Sequence, residues 1–566
     1  MTDSNRRPVG MVLGTEASTP LEWWVAIEED AFLQLDDVVC VRSRVSGEET
    51  VQISGLVDTV RASHEGSRFE SDVFLADRGV LPLKLARSAR VLTTRVEPEV
   101  WVPPRPGDLV YRAEGHDREL ALHFDRMEEK LAAGFSRDGL PVFLDLSFLD
   151  GRRGAHVNIS GVSGVATKTS YASFLLFSLF GSGILGHEAA NTKAIIFNVK
   201  GEDLLFLDRA NNRLTEEDRE RYRRLGVAPG AFQSVGIWAP VKRGGGVPVP
   251  DTGSRQEGVR SYFWTVRDVV KDGLLRFLFA ESGDERSQVA DLVARVEAIV
   301  AREAIYDDDQ PATVVFRDGG GPGRHIRSFE ALCDYIGEKL SEEGSDWARY
   351  AAAGTIAAFL RRLDSARFHC GHLIRGSDAA DAPAHRIDWE SKQVSVVDIH
   401  NLNDRAKRFV VGVVVKRLFE QKEQTGSARP LVFLVLDELN KYAPREGASP
   451  IKEVLLDIAE RGRSLGVILI GAEQTASEVE RRVVANSAIR IVGRLDPAEA
   501  LRPEYGFLTA TARQRASILR PGSMILQQPH LPVALEVSFP FPSWATRHSE
   551  ALEPVEAKDP FDRFDR

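Results

Sequence analysis

Leu431-Val432-Phe433-Leu434-Val435-Leu436-Asp437-Glu438 is a run of six apolar residues closed by two carboxylates. An unbroken apolar run of strand length reads as a β-strand buried on both faces, the type found in parallel sheets covered by helices. Three further runs of this kind surround it. They are Ala194-Ile195-Ile196-Phe197-Asn198-Val199, Val394-Ser395-Val396-Val397-Asp398 and Val467-Ile468-Leu469-Ile470, and helical patterns lie between them. The fold class is therefore α/β, with ligands expected outside the carboxyl ends of the strands. Asp437 and Glu438 sit at such an end, where two adjacent carboxylates are costly unless a metal or a water uses them.

A second motif precedes these strands. Gly161-Val162-Ser163-Gly164-Val165-Ala166-Thr167-Lys168-Thr169-Ser170 lies between an expected strand, Val157-Asn158-Ile159, and an apolar helix. Small residues let backbone N–H groups surround phosphates, a lysine reaches the β- and γ-phosphates, and a hydroxyl can ligate Mg²⁺. Lys168 and Thr169 fill the last two roles, with Gly161, Gly164, Ala166, Thr167 and Ser170 completing the cradle. The loop departs from the usual spacing: Thr167 stands where glycine is usual, and Gly161 lies seven residues before the lysine. Taken singly, each motif also fits an ordinary strand end or glycine-rich turn. In this order, each at the end of an apolar strand, they point to a nucleoside triphosphate site. Asp437 would then hold the Mg²⁺ shell and Glu438 would polarise the attacking water. Gln474, after the next apolar strand, could sense the γ-phosphate.

Around this core, residues 1–120 are dense in short β-type runs such as Trp23-Trp24-Val25-Ala26-Ile27 and Val38-Val39-Cys40-Val41, which predict a small barrel. The core occupies 121–253 and 386–537, interrupted by a mainly helical insertion over 254–385. Residues 538–566 mix Pro, Phe and charge and read as an exposed C-terminal arm. The 566-residue chain has a net charge of −10. That argues against a whole-surface nucleic-acid binder but leaves room for a local basic channel. Three scattered cysteines form no zinc or redox spacing, and Met1 to Gly14 contain no apolar signal core, so a reducing cytoplasm is expected. The uncharged stretch from Thr169 to Gly186 reads as a buried core helix, not a membrane span. Phe368-His369-Cys370-Gly371-His372 lacks a second ligand pair and reads as a polar turn after a helix.

The order of barrel, phosphate loop, Asn198-Val-Lys-Gly-Glu202, insertion, Val-Val-Asp398-Ile, Asp437-Glu-Leu-Asn-Lys-Tyr-Ala-Pro444, Arg461-Gly-Arg-Ser-Leu-Gly466 and the Gln474 strand resembles the HerA branch of the HerA/FtsK ATPases. The resemblance covers most of the chain. It implies a RecA-like P-loop ATPase core, an N-terminal barrel, and a hexameric ring that moves double-stranded DNA using ATP and Mg²⁺. Lys168 and Thr169 match its phosphate loop, Asp437 and Glu438 its metal and catalytic carboxylates, and Gln474 its sensor. Arg463 matches the position of an arginine finger acting across the subunit interface. Members work with a separate NurA-like nuclease or a defence effector, for which the barrel is the expected docking surface. A nucleotide-gated ring scaffold that organises an effector without pumping DNA is the alternative.

Overall fold

The computed structural model describes residues 6–47, 49–162, 168–244, 246–280, 288–317, 323–379 and 381–551. Two compact units are distinguished. The first comprises Met1–Phe148, Ile159–Tyr171 and Ala488–Pro540; the second comprises Leu149–Asn158, Ala172–Ser487 and Phe541–Arg566.

The first unit contains a closed antiparallel barrel. Its strands run in the order Gly10–Val12, Glu22–Ile27, Lys84–Glu97, Glu49–Glu65, Val38–Ser46, Leu109–Arg112, and the last pairs back to the first. Trp23, Val25, Val39, Val41, Ile53, Val57 and Val91 fill its interior. The sequence reading of a small barrel is met. Two glycines let the strands close. A Cβ on Gly10 would lie 2.1 Å from the Ala26 carbonyl oxygen, and one on Gly55 would lie 2.5 Å from Val91 Cγ1. A second antiparallel group in this unit joins Ile489–Val492, Ser523–Gln527, Leu535–Ser538, Lys130–Phe135 and Pro141–Asp145.

The second unit is built on parallel strands in the order Val259–Tyr262, Val235–Pro240, Val394–Asp398, Lys193–Asn198, Val432–Asp437, Val467–Glu473. Val394–Asp398 and Val467–Glu473 are buried at every position, as continuous apolar runs require. Two helices pack against each other beside them. Asp404–Thr425 is capped by the Asn403 side chain, which accepts from the Ala406 N–H, and ends at left-handed Gly426. Pro450–Leu465 has Pro in its first turn and Ser449 as cap, and Gly466 closes it at φ 71°. Glycine is required there, because a Cβ would sit 1.8 Å from the Ala428 carbonyl oxygen.

The range expected to be helical insertion holds the helices Gln288–Glu303, Phe329–Ser341 and Ala353–Cys370. It also contains Val259–Tyr262, so the parallel sheet reaches further along the chain than the sequence indicated. His369 and Cys370 close the last of those helices rather than forming a free turn; the Cys370 thiol is buried, and burial pushes the His372 imidazole down to about 4. Among the described residues no group of His, Cys, Asp and Glu is arranged to hold a metal by itself. None of their helices is long and apolar enough to cross a membrane.

The exposed arm is not found over residues 541–551. Trp544 is 1% exposed, with ring centroids 5.1 Å from Phe177 and 5.3 Å from Phe232. Tyr222 donates its hydroxyl to the Phe541 carbonyl at 3.0 Å, and the Asn211 N–H donates to the Ser543 carbonyl at 2.9 Å. Aromatic partners distant in sequence turn a segment of arm-like composition into core. Trp544→Ala is therefore expected to destabilise the protein by about 3–5 kcal/mol, measured as a lowered denaturant midpoint.

Candidate active site

The strand Val432–Asp437 is buried up to Leu436 and leaves Asp437 partly exposed at its carboxyl end. The chain then turns abruptly. Glu438 adopts φ 57°, ψ 41°, a left-handed conformation unusual for a residue with a side chain, and its N–H donates to Asp437 Oδ1 at 2.8 Å. The short helix Leu439–Tyr442 follows. This corner aims the Glu438 side chain back along the sheet edge, where only 8% of it is exposed.

Two lysines meet that carboxylate. Lys200, just past the neighbouring strand Lys193–Asn198, pairs with Oε1, and Lys441 pairs with Oε2 at 2.9 Å. Burial alone would raise the Glu438 pKa, but the two ammonium groups outweigh it and hold the carboxyl below its ordinary range. Lys407 donates to the Val199 carbonyl at 3.0 Å and so props the backbone ahead of Lys200.

The polar edge continues onto the next strand. Asp398 is 1% exposed and its Oδ1 accepts from Asn198 Nδ2 at 2.8 Å and lies 2.7 Å from His400 Nδ1. The hydrogen bond to Asp398 raises the His400 pKa against the opposing effect of burial. On the other side, Ala472 pairs with Asp437 in register, so Val467–Glu473 delivers Gln474 to the same edge, exposed to solvent. Glu473 beside it is fully buried.

Sequence reasoning found Asp437, Glu438 and Gln474 but did not single out Lys200, Lys441, Asp398 or His400. The available signal was polar residues directly after apolar strands, the position that also picked out Asp437.

Arg463 lies in the helix Pro450–Leu465, and within its own chain its guanidinium is engaged. Nε donates to the Gly151 carbonyl at 2.9 Å and an Nη to the Arg152 carbonyl at 2.6 Å. His156, on the approach to the strand Val157–Ser160, is 2% exposed and accepts from the Leu469 N–H at 2.9 Å through Nδ1. Burial pushes its pKa from 6.5 down to about 4, so it is neutral in the folded protein near pH 7. The unfolded chain takes up the proton first on acidification. Stability contributed at this position is thus complete above pH 6.5 and lost as pH falls toward about 4, by up to about 3 kcal/mol. A melting series across that window is expected to show this loss, and His156→Asn to flatten it.

In the first unit, Gly161 follows the strand and is held by its neighbours. The Gly493 N–H donates to the Ser160 carbonyl at 2.7 Å, and the Val162 N–H to the Arg494 carbonyl at 2.7 Å. A Cβ on Gly161 would lie 3.3 Å from both the Arg494 oxygen and Gly493 Cα, which favours glycine. Lys168 opens the helix Lys168–Gly181, is 6% exposed, and its ammonium donates to the Gly161 carbonyl at 2.6 Å. The two ends of the expected phosphate loop therefore meet. Thr169 and Ser170 occupy the first helical turn, half-buried, where backbone N–H groups favour an anion. Gly164, Ala166 and Thr167 lie outside the described residues.

The chain is similar to VirB4 and TrwB. With the structure of VirB4 of Thermoanaerobacter pseudethanolicus it shares 18% identity at a TM-score of 0.44, over 73% of this chain and 96% of that one. With the plasmid coupling protein TrwB in complex with the non-hydrolysable ATP analogue ADPNP it shares 13% identity at 0.45, over 76% and 95%. TrwB in complex with ADP and Mg²⁺ gives 12% and 0.45 over the same shares. No protein-family model and no curated protein matches the chain.

Proposed function

We propose that this protein is a cytoplasmic ATPase of HerA type, a hexameric ring that translocates double-stranded DNA. In this reading a separate nuclease or effector docks on the N-terminal barrel. The observation that carries it is the Asp437-Glu438 corner: a parallel strand buried up to Leu436 ends in two carboxylates, the second held in a left-handed turn with little exposure. A left-handed backbone at a residue with a side chain is costly, and catalytic sites are where such strain is tolerated.

Lys168 binds the β- and γ-phosphates, with the first-turn N–H groups of its helix around them. The hydroxyl of Thr169 and the carboxylate of Asp437 are hard oxygen donors of the kind Mg²⁺ takes alongside water and phosphate oxygens. When bound, that ion neutralises charge on the phosphates. Glu438 orients and accepts a proton from the attacking water, and Gln474 reads the terminal phosphate. Arg463 from a neighbouring copy is the finger in this scheme, and taking that role requires it to release the carbonyls of Gly151 and Arg152.

DNA would be gripped through its phosphates. Affinity for linear double-stranded DNA is expected to fall steeply with salt and vary little with base sequence, with log K against log salt, titrated between 50 and 200 mM, sloping at about −0.9 per phosphate contact. Sequence-dependent, salt-insensitive binding would contradict the motor.

The scaffold alternative has one observation in its favour. Both oxygens of Glu438 are engaged by lysines, an arrangement that does not itself activate water. Under that alternative nucleotide binds and the ring assembles, but hydrolysis is indifferent to DNA.

A further inference from the structure

The lysine pair on Glu438 is asymmetric. Lys441 lies one turn further along the same short helix, three residues away, and its ammonium is also 3.9 Å from Asp404. Its side chain is 40% exposed, and two carboxylates draw its ammonium. Lys200 belongs to a different element. Its side chain is 53% exposed, against 8% for Glu438, and its ammonium rides on a flexible four-carbon stem. With Lys200 beside Oε1 and Lys441 2.9 Å from Oε2, each carboxylate oxygen faces an ammonium group that competes with a water for it. Freeing one oxygen for water requires one lysine to leave, and Lys200 is the less tightly held. Lys441 is drawn by both Glu438 and Asp404, whereas Lys200 pairs with Glu438. The Lys407–Val199 bond keeps the Lys200 backbone in place when its side chain swings away.

We infer that Lys200 is a positioning residue, a latch that holds the Glu438 carboxylate and releases it when the terminal phosphate of a nucleoside triphosphate draws its ammonium away. The inference rests on the nucleotide reading above. A terminal phosphate carries more negative charge than a carboxylate and offers three acceptor oxygens, so it competes for the ammonium. A diphosphate lacks that group and leaves the latch closed. A ligand shifts such an equilibrium only by its differential affinity for the two states, and here the difference between triphosphate and diphosphate is that one group. Once released, Glu438 keeps Lys441 on one oxygen and turns the other to water.

The test compares full-length wild type, Lys200→Met, Lys200→Arg and Glu438→Gln. Two quantities are read: steady-state ATP hydrolysis without DNA, and equilibrium binding of a fluorescent non-hydrolysable ATP analogue and of fluorescent ADP. Lys200→Met is expected to raise kcat and KM together, each severalfold, because the base is freed while a phosphate contact is lost. Its preference for the ATP analogue over ADP should fall about tenfold. Lys200→Arg, which keeps the charge, should return both toward wild type. A merely structural lysine would instead lower kcat and leave the analogue-to-ADP ratio unchanged, and that result overturns the latch, as does Lys200→Met behaving like wild type. If wild type hydrolyses ATP and Glu438→Gln does not, such a failure belongs to the latch alone. If wild type binds neither nucleotide, the nucleotide reading fails and the latch fails with it.

Discussion

Glu438→Gln is expected to lower ATP hydrolysis by about 10²–10⁴-fold while leaving nucleotide binding within a few-fold of wild type. The amide matches the carboxyl in size and its oxygen can keep one of the two lysines, while the other swings into solvent, since both lysine side chains are 40% or more exposed. What disappears is the group that takes a proton from water. Initial-rate measurements beside equilibrium titration with an ATP analogue separate the two effects. Parallel loss of binding and turnover would mean that Glu438 shapes the site instead of acting in it.

The second large effect is expected at the other motif. Lys168 is nearly buried at the start of its helix, and truncation to alanine removes the one ammonium placed by sequence at the phosphates. A charged partner lost from a buried pair costs about 2–5 kcal/mol, which weakens nucleotide binding by tens- to thousands-fold. The Lys168→Ala variant should melt close to wild type, because in this account the lysine serves the phosphates and not the fold. A large drop in melting temperature with nucleotide affinity retained would assign Lys168 to structure.

How much of this was legible in the sequence depends on whether the signal was local. The parallel strands were legible because burial on both faces forces an unbroken apolar run, and Leu431 to Leu436 can hardly be read otherwise. The barrel was legible from short β-type runs separated by turns. Asp437 and Glu438 followed from their place at a strand end. Lys200 and His400 did not, because a lone polar residue after a strand gains meaning only once the sheet order brings Lys193–Asn198 between Val394–Asp398 and Val432–Asp437. Arg463 illustrates the opposite case. A motif position suggests a residue reaching outward, whereas in the chain its guanidinium caps two carbonyls of a loop more than three hundred residues earlier. Trp544 was misread for a related reason: Pro, Phe and charge suggest an arm, and the rings of Phe177 and Phe232 that bury it are assembled only by folding.

The central claim, a nucleotide motor driven by the Asp437-Glu438 corner, is tested most directly by ATP hydrolysis of the full chain with and without linear double-stranded DNA, beside Glu438→Gln. The account predicts hydrolysis that DNA stimulates severalfold and that the substitution abolishes in both conditions. Hydrolysis that survives Glu438→Gln, or that is unchanged by DNA at low salt, would contradict it.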